Sequence, residues 1–396
     1  MFPRHRLDIT LPDMAAALLS FGMPLNKRRL EQDIASFWNR EHVRVSFTVR
    51  TSLDAILTAL DLPPGSEVLM SAITIRDMVQ VVLNHKLRVI PIDVRIDDLS
   101  VSAIDLEQCI SDKTRIVLIA QLFGVIADLQ PIGDVCRKKG ILLIEDCAQA
   151  FCGTNYRGSE YADISMFSFG PIKSSTALGG AVTTFTFADL LKRTAEIERR
   201  YPARGEAWFF LRILKYSALI LLSHPFVYCM LIKILHRLRK DPEKYINGLV
   251  RSFKPGELSA QLRYQAPVRL LYLLRRKLRR NKDRKFVDRE QKAKALLGRL
   301  DAQYTVPGKT SFRNSFWIIP VLVDNPNALQ KQLLQSGFDS TRGNHSLTAV
   351  ESEDNQDFYA PAAHMMIEKI VYLPNITGMA EKERRKLVEA LHSFQG

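Results

Sequence analysis

Between Glu67 and Glu145 the chain alternates, with little slack, between short aliphatic runs and longer amphipathic stretches. Glu67–Ser71, Leu87–Asp93, Arg115–Gln121 and Ile141–Glu145 read as strands, since β-branched and aliphatic runs bounded by turn residues fit a buried strand. Arg76–Leu83, Ala103–Ile110 and Ile132–Lys139 read as helices. Strands joined each time by a helix pair in parallel through right-handed crossovers. The pattern therefore predicts an α/β architecture: a mostly parallel sheet with helices on both faces.

Ligands of such sheets sit beyond the carboxyl ends of the strands. Ile141–Ile144 ends in Glu145 and Asp146. A second run, Ile164–Phe169, ends in the turn Gly170-Pro171-Ile172-Lys173, and Gly179-Gly180 lead into a third run, Ala181–Phe185. Asp146 and Lys173 are thus expected to project into one crevice. A carboxylate and a lysine there suit pyridoxal 5′-phosphate (PLP): the lysine as its Schiff-base anchor, the carboxylate as partner of the pyridinium nitrogen. Once freed by substrate, the lysine can carry the Cα proton. The plainer reading is a solvated turn lysine and a helix-capping aspartate.

IEDCAQA followed by SMFSFGPIKSSTALGGAV resembles the DegT/DnrJ/StrS family, sugar aminotransferases of PLP fold type I. The resemblance implies that Lys173 is the Schiff-base lysine, Asp146 the pyridinium partner, Gln149 a neighbour of the ring's phenolic oxygen and Ser168 a phosphate ligand. The family's phosphate loop falls on the helix start near Thr51 and Ser52, its glycine on Thr51 or Arg50 depending on alignment and its hydroxyl donor on Ser52. A helix N-terminus binds phosphate well, although a plain Ser/Thr N-cap would read the same way. Ile75 stands where the family usually stacks an aromatic on the ring; an aliphatic covers that face by dispersion. Pro63-Pro64-Gly65-Ser66-Glu67-Val68 and Gln121-Leu122-Phe123-Gly124 match further family turns.

Ser252 and Lys254 fall on the Asn and Arg of a segment that the neighbouring subunit lends to the phosphate. This implies a homodimer with sites at its interface; an ordinary helix start is the other reading of Ser252. Arg342 is a candidate for the donor's carboxylate and His345 for the acceptor, against exposed loop residues. The family's His-Pro-Thr before the lysine is Gly170-Pro171-Ile172 here, and its Glu before the paired glycines is Leu178. The resemblance covers 43–185, is thin over 250–270 and 335–394, and is absent over 200–245.

It implies a PLP-dependent aminotransferase moving an amino group from an amino acid, such as glutamate, to a keto sugar or a lipid-like carbonyl acceptor. The other class of function is a non-catalytic PLP-fold regulator or partner-binding protein. The family's sugar dehydratases carry histidine in place of this lysine, so Lys173 argues against dehydration.

The segment with no counterpart carries most of the chain's charge. Residues 190–300 hold 28 Lys/Arg against 9 Asp/Glu, more than the whole chain's excess of +14. Within them lie two apolar runs, Trp208–Ser223 and Phe226–Ile232, split by His224-Pro225 and flanked by basic residues. Such a pair reads as a re-entrant or interfacial hairpin on an anionic membrane, or as helices buried in protein. The basic helix around 270–280 could rest on the same surface. Nucleic acid is not expected, because no recognised binding motif accompanies the charge. Five cysteines, odd in number and without a C-x-x-C pair, suit reduced thiols in the cytoplasm, and no metal is expected.

The expected layout is an N-terminal arm over 1–42 with one helix (Ile9–Phe21), a large cofactor-binding domain over 43–195, the helical insert over 196–284 and a smaller α/β domain over 285–396. In the last, Phe316–Val323 reads as a strand, and Asn327–Ser336 and Ala380–Phe394 as helices. The placement expected is cytoplasmic, with the enzyme peripheral on the inner face of the membrane as an option.

Overall fold

The computed structural model describes residues 1–4, 7–238, 258–280, 283–300, 303–343, 347–352 and 358–394. Its central sheet has seven strands: β1 Val43–Ser46, β2 Glu67–Ser71, β3 Arg88–Ile92, β4 Thr114–Ala120, β5 Leu142–Asp146, β6 Ile164–Ser168 and β7 Ala181–Phe185. The order is β1-β7-β6-β5-β4-β2-β3. The run β3-β2-β4-β5-β6 is parallel, and β7 runs antiparallel to both β6 and β1. The alternation in the sequence thus gives the α/β sheet it predicts, with element ends moved by a residue or two.

The strands read as nearly continuous apolar runs because both faces are covered. Leu69, Ile90, Val117 and Leu143 enter one core, and their neighbours Val68, Met70, Val89, Ile116, Leu118 and Ile144 enter the other. That is the two-residue period of a strand.

The N-terminal arm carries two helices rather than one. Leu11–Leu19 starts in a capping box between Thr10 and Asp13, and Lys27–Ala35 starts on the Asn26 cap. The second helix is so polar, with only Leu30 and Ile34 buried, that no apolar periodicity announces it. Both pack on the helix Val268–Arg279, where Asp13 receives Arg276 at 3.1 Å and Lys277 at 3.3 Å.

In the C-terminal part, only Pro320–Leu322 of the expected Phe316–Val323 strand is β, paired with Ile370–Tyr372. Phe316 has a left-handed backbone (φ 47°) that ends the extended run. The helices Pro326–Gln335 and Glu381–His392 close a separate core around Val321, Leu333 and Leu387. Leu347–Ala349, in contrast, pairs with Ile73–Ile75 in a separate two-stranded sheet, so this stretch is tied to the segment that follows β2.

The apolar segment forms two helices, Glu206–Leu222 and Pro225–Arg237, bent by 93° at the break. Among the described residues no single helix is long and apolar enough to cross a membrane. Phe209, Ile213 and Tyr216 are buried in the core that also holds Phe169 and Leu178. Phe210, Leu211, Leu214 and Leu221 are exposed, as are Phe226, Met230 and Ile234 on the second helix.

Candidate active site

Glu145 and Asp146 are neighbours on β5, so their side chains leave on opposite faces. The Glu145 carboxylate is fully buried and accepts from Gln121 Nε2 (2.7 Å), Ser165 Oγ (2.8 Å), the Ser159 amide (3.0 Å) and the Tyr156 hydroxyl. It is a structural anchor. Asp146 lies in a cleft of about 1030 Å³, open mouth included, at the carboxyl ends of the strands. Its Oδ1 accepts the Ala148 amide at 2.9 Å, and its other oxygen has no donor among the described residues. Burial raises its pKa, while Lys173 and Arg50 pull the other way.

Lys173 lines the same cleft, within the return from β6 to β7. That return is drawn tight on the Phe169 carbonyl, which accepts the amides of Ala177 (3.1 Å) and Gly179 (3.0 Å) and the Thr176 hydroxyl (3.2 Å). The paired glycines are steric requirements. A Cβ on Gly179 would stand 2.8 Å from Leu270 Cδ1, and Gly180 has φ +89°. Burial brings the Lys173 amine down to about 8, with Asp146 opposing and Arg50 adding to the effect. A lysine so tuned has a sizeable neutral, nucleophilic fraction near neutral pH.

At the β1 side, the helix Val49–Leu60 points its N-terminus into the cleft through Thr48, Val49 and Arg50. Ser168, Ile75 and Gln149 complete the lining, with Gln149 Oε1 accepting the Phe123 amide at 2.8 Å. An orphaned carboxylate oxygen over β5 and a helix N-terminus with a serine toward β1 fit a ring bearing a cationic nitrogen and, across it, an anionic group.

Residues 20–198 match the model of the DegT/DnrJ/EryC1/StrS aminotransferase family. Over those residues the chain is similar to this family. A GDP-perosamine synthase of Escherichia coli O157:H7 is 32% identical over 155 residues, 37% of this chain and 42% of that protein. A UDP-N-acetyl-3-dehydro-alpha-D-glucosamine 3-aminotransferase of Acidithiobacillus ferrooxidans is 31% identical over 186 residues, 46% of this chain and 48% of that one. The chain spans about half the length of the curated relatives it matches. A solved sugar aminotransferase from Micromonospora echinospora is alike over 100% of both chains, with TM-score 0.68 and 18% identity. At that identity the likeness is one of fold, and the fold is that of the PLP fold type I aminotransferases.

Within this cleft, the structure brings together Lys173, Asp146, Gln149, Ser168 and Ile75. It turns others away. Thr51 Oγ1 donates to the Leu262 carbonyl at 2.8 Å, and Ser52 Oγ pairs with Thr183 Oγ1 at 2.7 Å; both residues are fully buried and neither lines the cleft. The helix begins at Val49, earlier than the motif alignment implied, so these hydroxyls lie past its open end. Arg342 also lies outside the lining, bound to Asn327 Oδ1 (3.3 Å) and to the Glu368 carbonyl. Ser252, Lys254 and His345 lie outside the described residues.

Arg50, the other position for the loop's glycine, lines the cleft at the start of the helix Val49–Leu60, ion-paired with Asp77. Three further lining residues went unread in the sequence. Arg204, Trp208 and Arg212 come from beyond the residues that the family model matches, where nothing in the motif pointed to a site.

Proposed function

We propose that this protein is a PLP-dependent aminotransferase moving an amino group from an amino acid, glutamate being the reference donor, to the carbonyl carbon of a keto sugar. The observation that carries this reading is the meeting of Asp146 and a half-buried, down-shifted Lys173 in one cleft of a DegT-family fold. Keto-sugar chemistry is favoured by the relatives, two of which bear names of amino-sugar synthesis.

Asp146 would hold the ring nitrogen, Gln149 and Ile75 would border the ring, and Ser168 with the Val49–Leu60 helix N-terminus would hold the phosphate. When bound, the cofactor supplies a sink for the electron pair left as the donor's Cα–H bond breaks. Lys173 Nζ then takes that proton and later returns it to the acceptor carbon. Purified protein supplied with PLP should show a visible absorbance band that glutamate shifts. Lys173→Ala should abolish both the shift and turnover; full transamination by that variant would overturn the assignment.

The same reading includes a homodimer to which the partner copy lends the segment of Ser252 and Lys254. Inactive Lys173→Ala and Lys254→Ala subunits should regain activity when mixed; no recovery despite proven exchange would oppose it. It also includes domains divided near 195 and 285, where limited proteolysis should nick first.

The outer face of the two insert helices, with Phe210, Leu211, Leu214, Phe226, Met230 and Ile234 exposed beside Lys215, Lys233 and Arg237, suits an anionic membrane surface on the cytoplasmic side. Wild type should co-sediment with anionic vesicles at low salt, and a deletion of about 208–240 should not. If wild type stays in the supernatant and this face is shielded in a dimer, the second copy covers it instead.

A further inference from the structure

The helix Glu206–Leu222 lies beyond the residues that the family model matches, yet it walls the cleft through Trp208 and Arg212, joined by Arg204 just before it. The Arg204 guanidinium carbon stands 5.2 Å from the centre of the Trp208 ring, and that of Arg212 stands 4.9 Å from it. Two cations thus share one indole. Trp208 packs edge-on against Phe47 at 5.4 Å, and Arg212 Nε donates to the Leu178 carbonyl at 2.6 Å.

These contacts fix which end of the cleft the wall closes. Phe47 follows β1, Leu178 precedes β7, and Ser168 ends β6; the three strands are consecutive in the sheet. Asp146 ends β5, next in order, and Ile75 lies beyond β2. The wall therefore stands on the side of Ser168 and the Val49–Leu60 helix N-terminus.

Two like charges against one ring repel, and burial adds to their cost. Desolvation pushes the Arg212 guanidinium down and Arg204 adds to that, while Tyr216 opposes it. Arg204 Nε is buried with no hydrogen-bond acceptor among the described residues. An anion between the two guanidiniums removes both penalties, and phosphate matches their forked donors.

We propose that Arg204 and Arg212 are phosphate ligands: the insert supplies, from its own subunit, a cationic clamp facing the N-terminus of the Val49–Leu60 helix. The inference rests on the PLP reading above for the first phosphate it names, that of the cofactor. A phosphoryl group on the acceptor has the same chemistry, and the test separates the two.

Full-length protein stripped of cofactor is titrated with PLP, with pyridoxal, which lacks the phosphate, and with inorganic phosphate, followed by tryptophan fluorescence. Holoprotein is titrated with a nucleoside-diphosphate sugar. Arg204→Gln and Arg212→Gln should weaken PLP and phosphate binding by about tenfold or more, on the order of 1.4 kcal/mol. Pyridoxal binding should stay within about twofold, and Arg212→Lys should regain part of the loss. A loss confined to inorganic phosphate and the nucleoside-diphosphate sugar keeps the clamp and makes the acceptor its occupant. Equal losses for PLP and pyridoxal, or no loss with any phosphate, would reduce the wall to packing and overturn the proposal. Wild type that ignores PLP would sink the aminotransferase reading alone, since the inorganic-phosphate arm still decides the clamp.

Discussion

The Lys173 amine lies 4.2 Å from the centre of the Trp317 ring, and the Trp317 indole N–H donates to the Ile172 carbonyl at 3.0 Å. A residue from the C-terminal part therefore holds both the lysine and its turn. An aromatic face favours the charged amine, on the order of 1 kcal/mol. Trp317→Leu should lower the Lys173 pKa by less than about one unit, while Trp317→Phe should leave it nearly in place. The pH dependence of Lys173 acylation in cofactor-stripped protein, read by mass spectrometry, checks this; equal midpoints in wild type and Trp317→Leu would refute it.

The same assay reads the charges around the amine. Wild-type reactivity should rise with pH through about 8. Asp146 holds the Lys173 pKa up, so Asp146→Asn should move the midpoint lower; Arg50 holds it down, so Arg50→Gln should move it higher. Unchanged midpoints in both variants would show that burial alone sets the value.

Asp54 is buried and accepts from His85 (3.1 Å), Tyr201 (2.9 Å) and Arg263 (2.9 Å), tying the helix Val49–Leu60 to chain on either side of the two apolar helices. Burial alone would raise its pKa, yet these donors together bring it to about 2 from 3.8. The folded value is depressed, so its stabilisation is complete above about pH 4 and is lost as pH falls toward 2. It amounts to about 2 kcal/mol. Asp54→Asn should lower Tm at neutral pH and flatten the acid limb between about pH 4 and 2 in thermal melts. An unchanged acid limb would show that other carboxylates govern it.

Arg4 and Asp339 form a buried two-point ion pair (2.7 and 2.9 Å), and the Tyr228 hydroxyl of the second insert helix donates to the same carboxylate. Asp339→Ala strands the Arg4 charge and should cost about 3–5 kcal/mol. Tyr228→Phe removes one hydrogen bond to a charged group, about 1.5–3 kcal/mol. Adding Arg4→Met to Asp339→Ala should restore stability in urea melts; no recovery would mean the pair is not the source of the loss.

The sequence by itself determined the sheet and the meeting of Asp146 and Lys173 in one cleft. Strand and helix periods repeat locally, so the β2 to β5 run was legible to within a residue or two at each end. Asp146 and Lys173 sit at the ends of such runs, where topology alone brings them to one edge. The motif spacing likewise carried Ser168, Gln149 and Ile75 into the cleft. What only tertiary structure decided was where side chains turn and what arrives from afar. Thr51 and Ser52 fell in the right segment but past the helix's open turn, and each is drawn to a partner more than a hundred residues away. Trp317, Arg204 and Arg212 reach the site from segments whose local sequence reads as strand or apolar helix. Their roles rest on contacts over roughly 30 to 150 residues of separation, which no period or spacing encodes.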